Sequence, residues 1–306
     1  MLFRRVTLMI LTLSLLSIMA CSGKDEIDDS IPESELYGTA RKQIDDGNFS
    51  QATRNLEALE SRYPFGRYAE QAQLELIYAY YKSSDNELAI IAADRFIRLH
   101  PQHPQADYAY YMRGLAKYTQ NQGLIERYLP FDATERDPGP ARDSFADFAL
   151  LLQKYPHSEY AGDARLRMIY LRNVLARYEV NVANYYLSRK AWLAAANRAR
   201  GVVENFPQTP AVPDALAIMT QTYLIMGLNN LASESLAVLS TNYPQYPSLD
   251  AQGNFIPQIT EDSQERSWVE RISFGLFDRP DPPEFDHRND SWLPPYSTPP
   301  ASATPR

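Results

Sequence analysis

The chain has 306 residues, 44% of them hydrophobic, and carries 30 Lys and Arg against 38 Asp and Glu, a formal net charge of −8. That hydrophobic share supports a substantial buried core, whereas the acidic balance argues against nucleic-acid binding, which needs a basic face. A single cysteine rules out disulfides within the chain.

Arg4 and Arg5 form a short basic start, followed by an uncharged, mostly apolar run from Val6 to Ala20. A membrane-spanning helix needs about 20 such residues, more than this run supplies, so it has the length of a secretory leader's apolar region. In place of the usual small-residue cleavage site stands Ile18-Met19-Ala20-Cys21. It resembles the bacterial lipobox, in which the cysteine thiol is acylated and becomes the new N-terminus. Residues 1–20 are expected to be the leader and Cys21 the lipid anchor; an ordinary leader with a chance cysteine, or an uncleaved anchor, is the alternative. Three acyl chains, at about 0.8 kcal/mol per buried methylene, would hold the membrane stably. Ser22, rather than Asp, resembles lipoproteins sorted to the outer membrane. Loss of Arg4 and Arg5 takes the formal charge from −8 to −10. Residues 21–32 are polar and acidic and are expected to form a flexible tether.

Beyond the tether a punctuation recurs: Tyr63-Pro64, His100-Pro101, Tyr155-Pro156, Phe206-Pro207 and Tyr243-Pro244. Twelve residues before each proline lies a small side chain (Ala52, Ala89, Ser144, Ala195, Ala232), and five before it a larger apolar one (Leu59, Phe96, Leu151, Val202, Leu239). Eight residues after the first four prolines comes Ala72, Ala109, Ala164 or Ala215. Small residues let two helices approach where they cross, the apolar residue two turns later stays on the same face, and proline ends the second helix. The pattern resembles the tetratricopeptide (TPR) repeat, with Tyr80 and Tyr223 at the aromatic position of its first helix. The expected fold is all-α: a superhelix of about five helix-turn-helix repeats over 33–247, divided at 33–68, 69–105, 106–158, 159–209 and 210–247. Each hairpin buries its apolar face only by stacking on its neighbours.

Two repeats are long. The third carries Pro130 and Asp137-Pro138-Gly139-Pro140, so residues 122–140 are expected to form an ordered loop or a lid. The fourth has no Pro or Gly from 164 to 202 except Gly201, and the extra length between Pro156 and Pro207 is expected to split evenly, two turns on each helix. Residues 248–279 read as an extension whose stretch SWVERISFGLF (267–277) caps the last repeat or packs on a partner. From Pro280 to the end, prolines recur at 280, 282, 283, 294, 295, 299, 300 and 305, and the segment is expected to be disordered or extended.

Signatures of chemistry are missing from the sequence: it has no phosphate loop, nucleophile elbow or HExxH motif. His100 and His103 invite a metal reading, but they flank the Pro101 corner and no cysteine can complete a site. No metal, no catalytic residue and no cofactor beyond the lipid on Cys21 is expected. One charge feature rises above background. Between Ala161 and Thr209 lie Arg165, Arg167, Arg172, Arg177, Arg189, Lys190, Arg198 and Arg200, against Asp163, Glu179 and Glu204. The fourth repeat is therefore +5 within an acidic protein: either a solvated face or a docking surface for an acidic partner.

The strings RYPFGRY (62–68), LELIYAYYK (74–82), DRFIRLHPQHPQADYAYYMRGL (94–115), RDP (136–138), ARYEVNVANYY (176–186) and AWLAAANR (191–198), behind the lipobox, resemble the BamD family of outer-membrane β-barrel assembly lipoproteins. The resemblance covers roughly residues 18–245. It implies an outer-membrane scaffold facing the periplasm, not an enzyme, whose partners are a BamA-type barrel protein, smaller Bam lipoproteins and unfolded outer-membrane proteins. Asn197-Arg198 matches the family segment whose arginine contacts an acidic residue of BamA, and Arg189 and Lys190 belong to the same basic repeat. The resemblance also implies a site for substrate peptides, placed in the groove of the first two repeats, where Tyr63, Phe65, Tyr68, Tyr78, Tyr80 and Tyr81 cluster; inter-helix packing is the alternative role for these rings. Another TPR lipoprotein adaptor, for peptidoglycan synthesis or secretin assembly, is the competing reading.

Overall fold

The computed structural model describes residues 30–120, 133–259 and 284–288. The leader, Cys21, most of the tether, the proline-bearing part of the expected loop before 133, the 267–277 stretch and most of the tail lie outside the described residues. Two compact units divide the chain, Met1–Ser83 and Ser84–Arg306. The first contains α1 (Glu33–Asp45), α2 (Phe49–Arg62) and α3 (Ala69–Lys82). In the second follow α4 (Asn86–Leu99), α5 (Ala106–Gln120), a 3-10 turn at Ala133–Glu135, α6 (Gly139–Lys154), α7 (Ala161–Ser188), α8 (Trp192–Asn205), α9 (Val212–Ile225) and α10 (Asn229–Asn242). The described residues form ten α-helices and no strand beyond an isolated bridge between Leu249 and Phe255. The fold is all-α.

Apart from α7, these helices are short enough to be marginal alone in water, so packing stabilises them. Within each unit, every helix packs against the next in sequence. The spaced residues carry that packing: Ala52, Ala89, Ser144, Ala195 and Ala232 are buried, as are Leu59, Phe96, Leu151, Val202 and Leu239. These larger residues have a second role. Their carbonyls accept the N–H of Tyr63, His100, Tyr155, Phe206 and Tyr243, the residues that cap the five pre-proline helices. Each cap residue leaves the α region, with φ of −125, −126, −131, −125 and −134°, as steric pressure from the following proline demands.

The fourth repeat departs from the expected even split. All of the surplus lies on α7, which has 28 residues, whereas α8 keeps the usual 14. The reason is register. Proline and the small residue twelve before it fix the second helix of each hairpin, so added turns can enter only ahead of it. A turn at Arg189-Lys190-Ala191 then starts α8, and Lys190 holds the left-handed φ of 59°. Equivalent turns in two other hairpins place Gly47 (φ 74°) and Gly227 (φ 72°) there, residues that adopt this conformation without strain.

In the third repeat the described part of the expected loop is short. Thr134 is buried, Asp137 Oδ1 accepts the Gly139 N–H, and Gly139 already begins α6. Where other repeats place alanine at the crossing, Ser144 donates to the Gly114 carbonyl at 2.8 Å. The helices approach closely at Gly114, where an added Cβ would meet Phe148 Cε1 at 2.8 Å. Gly114→Ala is therefore expected to destabilise the second unit by about 1–3 kcal/mol from overpacking, outweighing the helix-propensity gain of up to about 1 kcal/mol. Urea denaturation of the variant against the parent chain checks the sign.

Candidate functional site

The basic repeat divides into inner and outer arginines. Arg167 is buried and binds Asp163 one turn away at 2.5 Å, while Tyr111 of α5 donates to the same carboxylate at 2.7 Å. Arg177 is fully buried on α7 and binds Asp214 of α9, itself fully buried, at 2.6 Å. Arg200 donates to the Tyr223 hydroxyl at 2.6 Å. The buried Arg167 and Arg177 hold helices together and add little to a surface field, so the formal +5 overstates the charge presented to a partner.

Exposed on this repeat are Arg165, Arg189, Lys190, Asn197 and Arg198. Arg198 Nη1 reaches Glu179 Oε2 at 2.9 Å, and Arg142 of α6 holds the other oxygen at 3.3 Å. Glu179 raises the Arg198 pKa by hydrogen bonding and by its charge. Arg189 lies 5.5 Å over the Tyr185 ring, and Tyr185 and Leu193 are both exposed. By helical spacing Leu193 and Asn197 share a face of α8. Exposed apolar side chains beside a half-exposed guanidinium and a strained Lys190 turn make a surface suited to a partner carrying carboxylates.

All six aromatic residues expected in the peptide groove lie in the first unit. The Tyr63 hydroxyl donates to the Ile31 carbonyl at 3.1 Å. Tyr68 stacks on Tyr37 with ring centroids 4.5 Å apart, and its N–H binds Glu33. Tyr80 is buried, its hydroxyl donating to Glu57 at 2.6 Å, and Tyr81 is half-buried. Phe65, 100% exposed, is the open ring of the set. Tyr63, Tyr68 and Tyr80 thus serve inter-helix contacts in this unit. Nearby, burial and a hydrogen bond to Glu75 push the Tyr37 phenol up to about 12. His100 and His103 pack on Phe96, with centroids 5.0 and 5.2 Å away, and belong to the Pro101 corner. Among the described residues no group of three or more His, Cys, Asp or Glu could hold a metal.

A further constellation went unnoticed in the sequence. Residues 284–288 (Glu-Phe-Asp-His-Arg), inside the segment expected to be disordered or extended, pack onto helices of the second unit. Asn184 of α7 reads both sides of Phe285: its Nδ2 donates to the carbonyl at 3.0 Å, and the Phe285 N–H donates to its Oδ1 at 3.1 Å. The Phe285 ring is fully buried in the core cluster formed largely by α7, α8 and α9. Asp286 reaches Arg177 at 3.2 Å, the His287 N–H donates to Asp214 at 3.2 Å, and Tyr246 donates to Asp214 at 3.0 Å. Apolar burial offsets the ordering of a proline-rich chain at this one point. The signal that could have found it is Phe285, an aromatic residue set between acidic neighbours in a tail of prolines.

Removing one partner of a buried pair strands the other charge at a cost of about 3–5 kcal/mol. Arg177→Leu is expected to lose that much stability, and Arg177→Leu with Asp214→Leu to recover part of it, both read by urea denaturation. Burial raises the Asp286 carboxyl, but hydrogen bonds from Arg288 and the charges of Arg177 and Arg288 outweigh it and hold the group below its ordinary value. A folded-state pKa below the unfolded one adds stability that is complete above the ordinary carboxylate range and lost as pH falls through the lowered value. Amide exchange at Phe285 and His287 is therefore expected to stay slow at neutral pH and to quicken, relative to the repeats, only under strong acid.

The fold defines a class: an all-α protein of stacked helical hairpins of the tetratricopeptide type. A family model described as an outer membrane lipoprotein (YfiO) matches residues 29–239. The outer membrane protein assembly factor BamD of Vibrio cholerae is 41% identical over 233 residues, covering 76% of this chain and 96% of that protein. Its namesake in Neisseria meningitidis serogroup A is 39% identical over 247 residues, covering 78% and 92%, and that of Xylella fastidiosa 39% identical over 226 residues, covering 74% and 77%. This chain belongs to the YfiO/BamD family of outer-membrane lipoproteins.

Proposed function

We propose that the chain is an outer-membrane protein assembly factor: a non-enzymatic scaffold, anchored through a lipid on Cys21 and facing the periplasm, that docks a BamA-type barrel protein through the surface around Arg198. Family membership supports the role in outer-membrane protein assembly. The leader and the lipobox-like Ile18-Met19-Ala20-Cys21 support the anchor, and no helix among the described residues is long and apolar enough to cross a membrane. The observation that carries the docking assignment is the exposed set Arg189, Lys190, Asn197 and Arg198 in a chain of net charge −8. An arginine fork binds carboxylates bidentately, and charge complementarity speeds association and fixes register. Unfolded outer-membrane proteins and the smaller lipoproteins complete the list of partners, with the exposed Phe65 and its neighbouring tyrosines as the aromatic surface for substrate segments.

A pull-down from detergent-solubilised membranes tests this reading. The parent chain is expected to recover an outer-membrane barrel with periplasmic domains; recovery of cell-wall enzymes or a secretin would refute it. Arg198→Glu is expected to weaken that recovery roughly 30-fold, the equivalent of about 2 kcal/mol for a buried charged contact. Arg165→Glu, a matched reversal of another exposed charge on the same repeat, should leave it nearly intact. Equal loss in both variants would reduce the docking surface to a general charge effect.

A further inference from the structure

Residues 284–288 are bound in the way a protein binds a short peptide. A side-chain amide, that of Asn184, pairs with both polar groups of Phe285's own backbone, a contact that any extended residue could make. One aromatic side chain fills a closed apolar pocket. One carboxylate, Asp286, meets a fully buried guanidinium, and the next backbone N–H meets a fully buried carboxylate. Arg288 closes the far end on Asp286 and on the Thr134 hydroxyl, which Asn181 holds in place.

Two further observations separate a ligand from ordinary tail packing. Arg177 Nε and Nη2 are buried without a partner among the described residues, so the pocket has more donors than the resident segment uses. Arg177, Asn184 and Asp214 fall inside the 29–239 that the family model matches, whereas the segment seated on them falls outside it. The receptor side thus lies in the repeats, and the ligand side is an appendage joined to them through positions 260–283.

We propose that the cleft formed by α7 and α9 is a recognition site for an extended peptide bearing an aromatic residue followed by a carboxylate, and that residues 284–288 are its resident ligand, exchangeable for a segment of the same chemistry. This site is separate from the exposed surface around Arg198 and does not depend on that assignment. Being part of the same chain as the repeats, the resident segment is held at an effective concentration that can approach millimolar. A competing segment therefore binds only when it is abundant, multivalent or better matched.

The test uses the full chain with Phe285→Ala and Asp286→Ala, which vacates the pocket, and a fluorescent peptide of residues 281–290 read by anisotropy. Saturable binding to the vacated chain, at least tenfold weaker to the unaltered chain, is expected. A peptide with alanine at the phenylalanine position should lose binding, and so should a vacated chain that also carries Asn184→Leu with its helical circular dichroism preserved. Equal binding to vacated and unaltered chains, equal binding of a scrambled peptide, or none to a folded vacated chain would overturn the proposal. Should the vacated chain unfold, the unaltered chain decides. Excess peptide must speed amide exchange at Phe285 and His287, and unchanged exchange at saturating peptide refutes exchangeability. A dimer that forms at high concentration and dissolves with the peptide would identify a second copy as a further occupant.

Discussion

Arg177 and Asp214 face each other with neither side chain touching solvent. Two charges taken out of water need good geometry and partners for their remaining polar groups, a demand that Asp214 meets through Tyr246 and His287 and that Arg177 meets only through Nη1. That demand organises the second unit. It fixes α7 against α9, draws the Tyr246 hydroxyl in from beyond α10, and provides the charges on which Asp286 and the His287 backbone settle. A hydrophobic pair could hold two helices as firmly. It could not prescribe which polar groups of three distant segments must meet at one point.

Other charges in the unit work similarly at lower stakes. Arg113 of α5 reaches Asp94 on α4 and Asp147 on α6, and Lys117 shares Asp147, so one network spans three consecutive helices. Asp163 ties α7 to α5 through Arg167 and Tyr111. Between these points the packing is supplied by alanines and by leucine-sized residues at fixed spacing, which bring helices close without dictating orientation. Close approach comes from small side chains, and specificity comes from buried polar pairs.

The hairpins were legible in the sequence because proline, the small residue twelve before it and the apolar residue five before it each answer to a local steric requirement. The division of the fourth repeat was not. An uninterrupted helical pattern says nothing about where a turn falls when the turn residue is Lys190 rather than glycine. Charge counting found the exposed Arg189, Lys190 and Arg198 but enrolled Arg167 and Arg177 with them. Arg167 had its explanation four residues upstream in Asp163; the partner of Arg177 lies 37 residues away, where no local rule reaches. Tyr80 shows the same limit, since its aromatic position in the repeat foretold burial and its neighbourhood suggested a groove. The seat of Phe285 depends on a contact across 101 residues of sequence and on a pocket that exists only after α7, α8 and α9 have assembled.

Helix α7 has 28 residues where its counterparts have 13 to 15, about 42 Å against roughly 20 Å at 1.5 Å per residue. Its first turns are tied to α5, its middle to α9 and its last third to the 284–288 segment. Mechanically it is a beam clamped at several stations along its length. The Asn184 contact lies under two turns from the Arg177 anchor, and the Asp163 anchor holds the first turn. One helix therefore joins the neighbourhood of the 284–288 segment to that of α5, so both ends of this part of the unit share a single covalent member.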